Sequence, residues 1–323
     1  MRALLVKLSS LGDVIHNLPV ATDIRRAFPD AMIDWITEAA YVPLVARHAA
    51  INRVRPLHLR ALKANWLRPS AWSQVWDDKT NLGDARYDWV IDTQGLLKSA
   101  LIARCATGAV VGYDRDSIRE LAASRWYHRQ FPISRQLHAV ERNRALAAAA
   151  LGYTPAASCD YGLPAQWPMT VEATGSPYVV CLHATSRADK CWSTAAWIAL
   201  GRCLNAAGFR VVLPSGNDAE YATSRAIAEQ LQSALATPVR SLTETATLLA
   251  NAVAVVGVDT GLAHLAVALK RPTVGLFIGT QPALTGLYGE RAINLGGGSR
   301  TQRAMIEVDA VFDTLTRLLT SSA

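Results

Sequence analysis

Four short segments of the 323-residue chain gather side chains that handle protons, hydroxyls and phosphates. The first is Ser9-Ser10-Leu11-Gly12-Asp13. Gly12 lets the backbone approach a ligand closely, the serines offer hydroxyls, and Asp13 stands where a helix is expected to start. A carboxylate there has two readings. It caps free amide groups of the helix, or, kept ionised by the helix dipole, it accepts a proton from a substrate hydroxyl. The second segment is His183-Ala184-Thr185-Ser186-Arg187-Ala188-Asp189-Lys190-Cys191-Trp192. Its two hydroxyls and two cations suit a diphosphate, with Lys190 as a point charge and Thr185 and Ser186 as neutral donors. An ordinary polar loop is the alternative. The third is Asp259-Thr260-Gly261-Leu262-Ala263-His264. Asp259 can accept two hydroxyl hydrogen bonds, as sugars and riboses require, and the amides of Gly261 and Leu262 face an incoming anion. His264 taken alone fits a structural histidine. Gly216 with Glu220 forms a weaker fourth candidate, a carboxylate suited to ribose hydroxyls.

Each segment follows a stretch that reads as a strand. Residues 2–6 form a short apolar run, followed by the glycine-bearing turn and a helical pattern to about residue 28. Residues 32–36, 53–56 and 87–92 are strand-like, and 41–48 is helix-like. After a stretch without period at 163–177, strands are expected at 178–182, 209–213, 253–258 and 273–277. Helices are expected at 194–207, 219–234 and from about 260. Strands alternating with helices imply parallel sheets covered on both faces. The lapse places a domain boundary between 1–165 and 166–323, and the C-terminal helix is a candidate to pack back on the N-terminal domain. In such sheets ligands sit beyond the carboxyl ends of strands, where all four segments fall.

Composition narrows the partners. The net charge is +7, of which +6 lies in residues 1–165. Between Tyr41 and Trp76 there is no carboxylate, while Arg47, Arg53, Arg55, Arg60, Lys63 and Arg68 lie inside. A second acid-free run, residues 121–140, carries Arg125, Arg129 and Arg135 beside Trp126 and Tyr127. Clustered cations concentrate an anionic partner such as nucleic acid, an acidic lipid surface or a phosphorylated small molecule; a solvated basic face is the bland alternative. No recognition-helix, RRM or zinc-finger pattern supports nucleic acid. The five cysteines have no CxxC spacing and read as free thiols. No run of 18 apolar residues suggests a membrane span, and no signal-peptide core follows Met1-Arg2, so a cytoplasmic location is expected. GxGxxG after the first strand and GxxxxGK[ST] are both absent from the sequence, against a dinucleotide oxidoreductase or a P-loop NTPase. A sugar-nucleotide enzyme working in an interdomain cleft fits best.

The opening Leu4-Leu5-Val6-Lys7-Leu8-Ser9-Ser10-Leu11-Gly12-Asp13-Val14-Ile15-His16-Asn17-Leu18-Pro19 resembles the start of the ADP-heptose:lipopolysaccharide heptosyltransferase family, its type I members in particular. Residues 90–99, 138–142, 183–192 and 258–265 continue the match in order, so the resemblance is essentially full length. It implies an α/β fold of GT-B type, two Rossmann-like α/β/α domains facing across a cleft, the first binding acceptor and the second the nucleotide sugar. It also implies inverting transfer of L-glycero-D-manno-heptose from ADP-heptose to the first Kdo of Kdo₂-lipid A. Asp13 would be the base and Lys190 the catalytic cation. Thr185, Ser186, Lys190, Glu220, Asp259, Thr260, Gly261 and His264 would hold the donor, and Ser10, Gly12, Arg60, Lys63, Arg119 and Arg142 the acceptor.

No carboxylate pair with DxD spacing stands at a likely donor loop, so neither an obligatory metal nor a cofactor is expected. The partners implied are ADP-heptose, Kdo₂-lipid A and the inner leaflet of the cytoplasmic membrane, touched peripherally by a monomer on its cytoplasmic face. The residue 53–68 region is expected to hold Kdo carboxylates, with nearby Trp or Leu residues brushing the membrane. The chain departs from better-known members in carrying Ser186, Cys191 and Ser193 for threonine, histidine and proline. It also has Ala61 for arginine and Ile278-Gly279-Thr280-Gln281-Pro282 for Gly-Pro-Thr-Asp-Pro. A type II or III acceptor, or a nucleotide-sugar epimerase of the same fold, is the alternative.

Overall fold

In the computed structural model, residues 1–59, 83–169, 175–185 and 187–320 are described, and helices are numbered over these. The chain divides into two compact units, Met1–Pro164 and Ala165–Ala323.

The first unit holds strands β1 (Arg2–Val6), β2 (Met32–Glu38), β3 (Arg53–Leu57), β4 (Arg86–Asp92), β5 (Thr107–Tyr113) and β6 (Arg129–Phe131). They form one parallel sheet in the order β3-β2-β1-β4-β5-β6. Helices α1 (Leu11–Ile15), α2 (Leu18–Ala27), α3 (Val42–Val45), α4 (Leu97–Ala103) and α5 (Ala139–Leu151) accompany it. Leu4, Leu5, Ile33, Trp35, Val90 and Ile91 are fully buried, as strands covered on both faces require.

The second unit repeats the plan with β7 (Tyr178–Leu182), β8 (Arg210–Ser215), β9 (Ala234–Val239), β10 (Ala254–Val258), β11 (Thr273–Phe277) and β12 (Ala292–Gly296). Its order is β12-β11-β10-β7-β8-β9, all parallel. Its helices are α6 (Thr194–Ala206), α7 (Asp218–Ala228), α8 (Leu242–Ala250), α9 (Gly261–Ala268) and α10 (Val308–Thr320). In each sheet the winding reverses between the first and fourth strands of its unit, and the loops leaving those two strands diverge to opposite faces. That leaves a crevice where a ligand can sit.

Two expectations need correction. The helical pattern to residue 28 is two helices, broken at His16 and Asn17 because Pro19 falls in the first turn of α2 and suits only a new start. The pattern at 219–234 ends at Ala228, and Ala234 instead opens β9, whose ALATPV sequence carries little strand propensity. The pairing of Val211 with Ala234 and Val212 with Leu235 fixes it as a strand. Helix α10 packs into the second unit's own core, where Val311, Leu315 and Leu318 meet Val274 and Leu276. No helix among the described residues is long and apolar enough to cross a membrane.

Candidate active site

The crevice of the first unit is built around Asp13. Strand β1 ends at Val6, and the turn after it is pinned by side chains from both neighbouring strands. Thr37 Oγ1 donates to the Leu8 carbonyl at 3.2 Å. Gln94, just past β4, accepts from the Leu8 amide at 2.7 Å through Oε1 and donates to the Ser9 carbonyl through Nε2. Gly95, which follows, has φ +69°, a conformation open to glycine without penalty.

So anchored, the turn delivers Ser10 as the N-cap of α1. Asp13 Oδ2 accepts from the Ser10 amide at 2.9 Å and from its hydroxyl at 3.2 Å. Its other oxygen, Oδ1, lies 4.0 Å from Arg119 Nη1, and both side chains are part-exposed. The two readings of Asp13 are therefore compatible: one oxygen caps and the other is open to a proton. Gly12 occupies the second position of α1.

Beneath this turn sits Lys7, 5% exposed, which is not among the site residues expected from the sequence. Its ammonium donates to the Thr93 carbonyl at 2.7 Å and to Asn143 Oδ1 at 3.3 Å. Burial lowers its pKa to about 8, against the pull of Asp13 and Asp92 and with help from Arg119 and Arg142. These five charges are thus neighbours. Arg142 donates to the Ser117 carbonyl at 2.6 Å and stacks 4.7 Å over the Tyr113 ring, which fixes the plane of its fork. Asp92 is fully buried; burial pushes its carboxyl up although Tyr127, Ser99 and the amides of Gln94 and Gly95 all donate to it. Lys98 Nζ lies 3.4 Å from Ser9 Oγ and adds a cation at the rim.

Two acceptor candidates, Arg60 and Lys63, lie outside the described residues, as does Ser186. The expectation that the whole 53–68 region serves an anion fails at Arg53 and Arg55. Arg55 pairs with buried Asp34 at 3.4 Å and with Asp84 at 2.8 Å, while Arg53 reaches Asp84 at 3.0 Å. Tyr87 and Arg2 join Asp34 at 2.7 and 3.1 Å, completing an internal charge network.

In the second unit, Lys190 and Asp259 meet from the loops after β7 and β10, Nζ donating to Oδ2 at 2.7 Å. Thr280 Oγ1 donates to the same oxygen at 2.8 Å, and His264 Nε2 stands 3.9 Å from Oδ1. Burial alone would raise the Asp259 carboxyl. The bonds from His264, Lys190 and Thr280, with the Lys190 charge, outweigh it and hold the group well below the usual carboxylate range. Thr185 Oγ1 donates to the Asp259 carbonyl at 3.3 Å, tying the two loops together. Thr260 stands at the N-cap position of α9, whose first residue is Gly261. Arg187 is not free for a phosphate: it forms a two-point pair with Asp189.

A cavity of about 420 Å³ adjoins this pair, lined in part by Thr185, Gly216, Glu220, Arg240, Leu242 and Thr260. Glu220 sits at its wall with Oε2 accepting from the Gly216 amide at 2.8 Å and Oε1 from Asn217 at 2.8 Å. It therefore shapes the loop as well as facing the cavity. His183 is buried, which lowers its pKa, and hydrogen-bonds Ser224 at 2.7 Å.

Of the residues expected to act, the first unit gathers Ser10, Gly12, Asp13, Arg119 and Arg142. The second gathers Thr185, Lys190, Glu220, Asp259, Thr260, Gly261 and His264. Lys7, Gln94, Lys98 and Thr280 were missed; a lysine at the end of a buried strand was the one available signal.

Comparison with known proteins adds an independent line. Residues 76–311 match the model of glycosyltransferase family 9 (heptosyltransferase). The chain is 44% identical over 301 residues to lipopolysaccharide heptosyltransferase 1 of Pseudomonas aeruginosa, covering 92% of this chain and 84% of that one. The structure is similar to that of E. coli heptosyltransferase WaaC with ADP, at a TM-score of 0.90 and 37% identity, covering 98% of this chain and all of that one. It is also similar to the same enzyme with ADP-2-deoxy-2-fluoro heptose, at a TM-score of 0.85 and 35% identity over the whole of both chains.

Proposed function

The chain belongs to glycosyltransferase family 9, the heptosyltransferases, and on that premise we propose that it moves L-glycero-D-manno-heptose from ADP-heptose to the first Kdo of Kdo₂-lipid A with inversion. It is a heptosyltransferase of lipopolysaccharide core biosynthesis with a GT-B-type α/β fold, and ADP-heptose is its donor.

In inverting transfer the acceptor oxygen attacks the anomeric carbon from the face opposite the departing ADP. A base must take the hydroxyl proton, and positive groups must meet the charge growing on the diphosphate. Asp13 serves as base through Oδ1, since Oδ2 is held by Ser10. Lys190 meets the diphosphate, with the hydroxyls of Thr185 and Ser186 and the α9 N-terminus at Gly261. Asp259 and Glu220 take sugar and ribose hydroxyls, with Thr260 and His264 completing the wall. Arg119 and Arg142, with Arg60 and Lys63, receive the acceptor's carboxylates, beside Ser10 and Gly12. Lys190 does the work for which other glycosyltransferases use a divalent ion, so no obligatory metal or cofactor enters this reading.

The observation that carries the proposal is the Asp13 carboxylate, one oxygen fixed and the other open, beside Arg119 and within reach of the Lys7 and Arg142 charges. An anionic sugar acceptor is what such a cluster of cations would bind beside a base. Because that acceptor is anchored in a lipid leaflet, this reading places the enzyme at the cytoplasmic face of the inner membrane, acting there as a single chain.

The test is incubation with ADP-heptose and Kdo₂-lipid A, followed by mass measurement. A product heavier by one heptose is expected. Transfer only to an already heptosylated core would assign a type II or III acceptor, and nucleotide release without acceptor would favour an epimerase.

A further inference from the structure

Helix α4 leaves one face in solvent. Ser99, Ala100 and Ala103 are buried, while Leu97 and Leu101 are 37% and 41% exposed, flanked by exposed Lys98 and Arg104. The positions 97, 101 and 104 fall on one stripe of a helix. Against α4 packs the 3₁₀ turn Leu121–Trp126, which buries Ala123 and Ser124 and leaves Leu121 and Trp126 52% and 43% exposed beside Arg125. The two are tied: the Leu97 amide donates to Glu120 Oε2 at 2.7 Å, and the Glu120 amide donates to the Gly95 carbonyl. Apolar side chains of this size are normally covered, and four on two packed elements make a patch rather than scatter.

The charge around the patch is predominantly positive. Residues 93–113 and 121–140 contain no Asp or Glu, while Lys98, Arg104, Arg125, Arg129 and Arg135 lie within them. The segment that joins the two stretches carries Asp114, Asp116 and Glu120 with Arg115 and Arg119; Asp114 is engaged by Ser117 and Glu120 at the α4 N-terminus. Leucines and a tryptophan ringed by cations match the chemistry of a phospholipid leaflet with acidic headgroups: apolar tips enter the acyl boundary, and the guanidinium and ammonium groups meet phosphates. A nucleic acid would have no use for the leucines.

We propose that the exposed face of α4 and the turn Leu121–Trp126 form the surface by which this protein docks on an anionic lipid bilayer. The inference rests on the reading of a lipid-anchored acceptor and adds the face that meets the leaflet. Its placement is apt, because Lys98 reaches the Ser9 hydroxyl and Arg119 reaches Asp13, so a leaflet under this patch lies beside the candidate base.

The experiment is co-sedimentation of the full chain with vesicles of phosphatidylglycerol and phosphatidylcholine in equal parts, compared with phosphatidylcholine alone. Wild type should prefer the anionic vesicles, and salt should weaken that preference. The double variant Leu101→Glu/Trp126→Glu should bind them about tenfold or more weakly. It should retain wild-type turnover on a deacylated Kdo disaccharide, which needs no bilayer. Arg125→Glu, a change at an exposed position, should weaken vesicle binding as well, and it decides the matter should the double variant fail to fold. Vesicle binding unchanged in Arg125→Glu, or a wild type with no preference for anionic lipid, would overturn the proposal. Failure of the wild type to act on the deacylated disaccharide would instead strike the acceptor reading, leaving the vesicle result to stand on its own.

Discussion

Lys190 Nζ donates to Asp259 Oδ2 at 2.7 Å, so the cation proposed for the leaving diphosphate is already neutralised by the carboxylate proposed for donor hydroxyls. Thr280 shares that oxygen at 2.8 Å. An entering diphosphate must therefore share or loosen the pair, and the pair itself keeps Asp259 ionised and accepting. Thr280 is shared with better-known members, so the departures at Ile278, Gly279 and Gln281 leave the hydroxyl that steadies Asp259 in place.

Lys190→Ala should lower kcat by about 10²–10³-fold, the scale of removing one preorganised group from a developing oxyanion. Lys190→Arg should recover only part, because a planar fork replaces a point charge. Without its cation the Asp259 carboxyl must rise, so the acid limb of the kcat/KM profile should move to higher pH in Lys190→Ala. Wild-type kcat and donor KM in that variant would remove Lys190 from the diphosphate.

Asp13→Asn separates the two tasks of Asp13. Its amide oxygen can still accept from the Ser10 amide, as Oδ2 does at 2.9 Å, but it cannot take a proton. Turnover should fall by about 10²–10⁴-fold, while calorimetry should find ADP-heptose bound as in wild type and the melting temperature near its original value. Asp13→Ala should lose the cap as well and cost about 1 kcal/mol of stability besides. A fast Asp13→Asn enzyme would refute the base assignment.

Gln94 is a positioning residue for the same carboxylate, since its amide engages the Leu8 and Ser9 backbone that presents Ser10 and Asp13. Gln94→Leu keeps bulk and leaves the Leu8 amide and the Ser9 amide and carbonyl without this partner. The expected cost is about 2 kcal/mol in urea unfolding and about 10–100-fold in kcat, with little change in donor KM, because a small misplacement of the base acts on the chemical step. A loss confined to stability would make Gln94 a packing residue only.

The alternation of strands and helices, and the placement of the four chemical segments just after strands, were legible because each is local: a run of apolar residues, then a polar turn carrying its own donors. Strand β9 was not, since Ala234-Leu235-Ala236 suits a helix equally well and only the edge of β8 makes it a strand. Lys7 and Gln94 were not, because their partners lie far along the chain; Lys7 is held by residues 86 and 136 positions away. Arg53 and Arg55 misled for the same reason. Their acid-free neighbourhood looked unpaired, yet Asp34 and Asp84 reach them from outside it.

Lys7 supplies the clearest pH dependence. Burial lowers its pKa from 10.5 to about 8, so the recess around Asp13 loses one positive charge as pH rises through about 8. The acceptor KM should climb there for an anionic acceptor and stay flat in Lys7→Met, whose KM should be high throughout. Stability should respond in the opposite sense. Between about 8 and 10.5 the unfolded chain holds a proton on Lys7 that the native state has released, so unfolding becomes harder as pH rises, by on the order of 3 kcal/mol from this group. Lys7→Met should lack that rise. Acceptor KM and urea midpoints, taken at intervals across this range for both proteins, measure the two trends separately. A wild-type acceptor KM that stayed level through the window would mean that the Lys7 charge does not reach the acceptor.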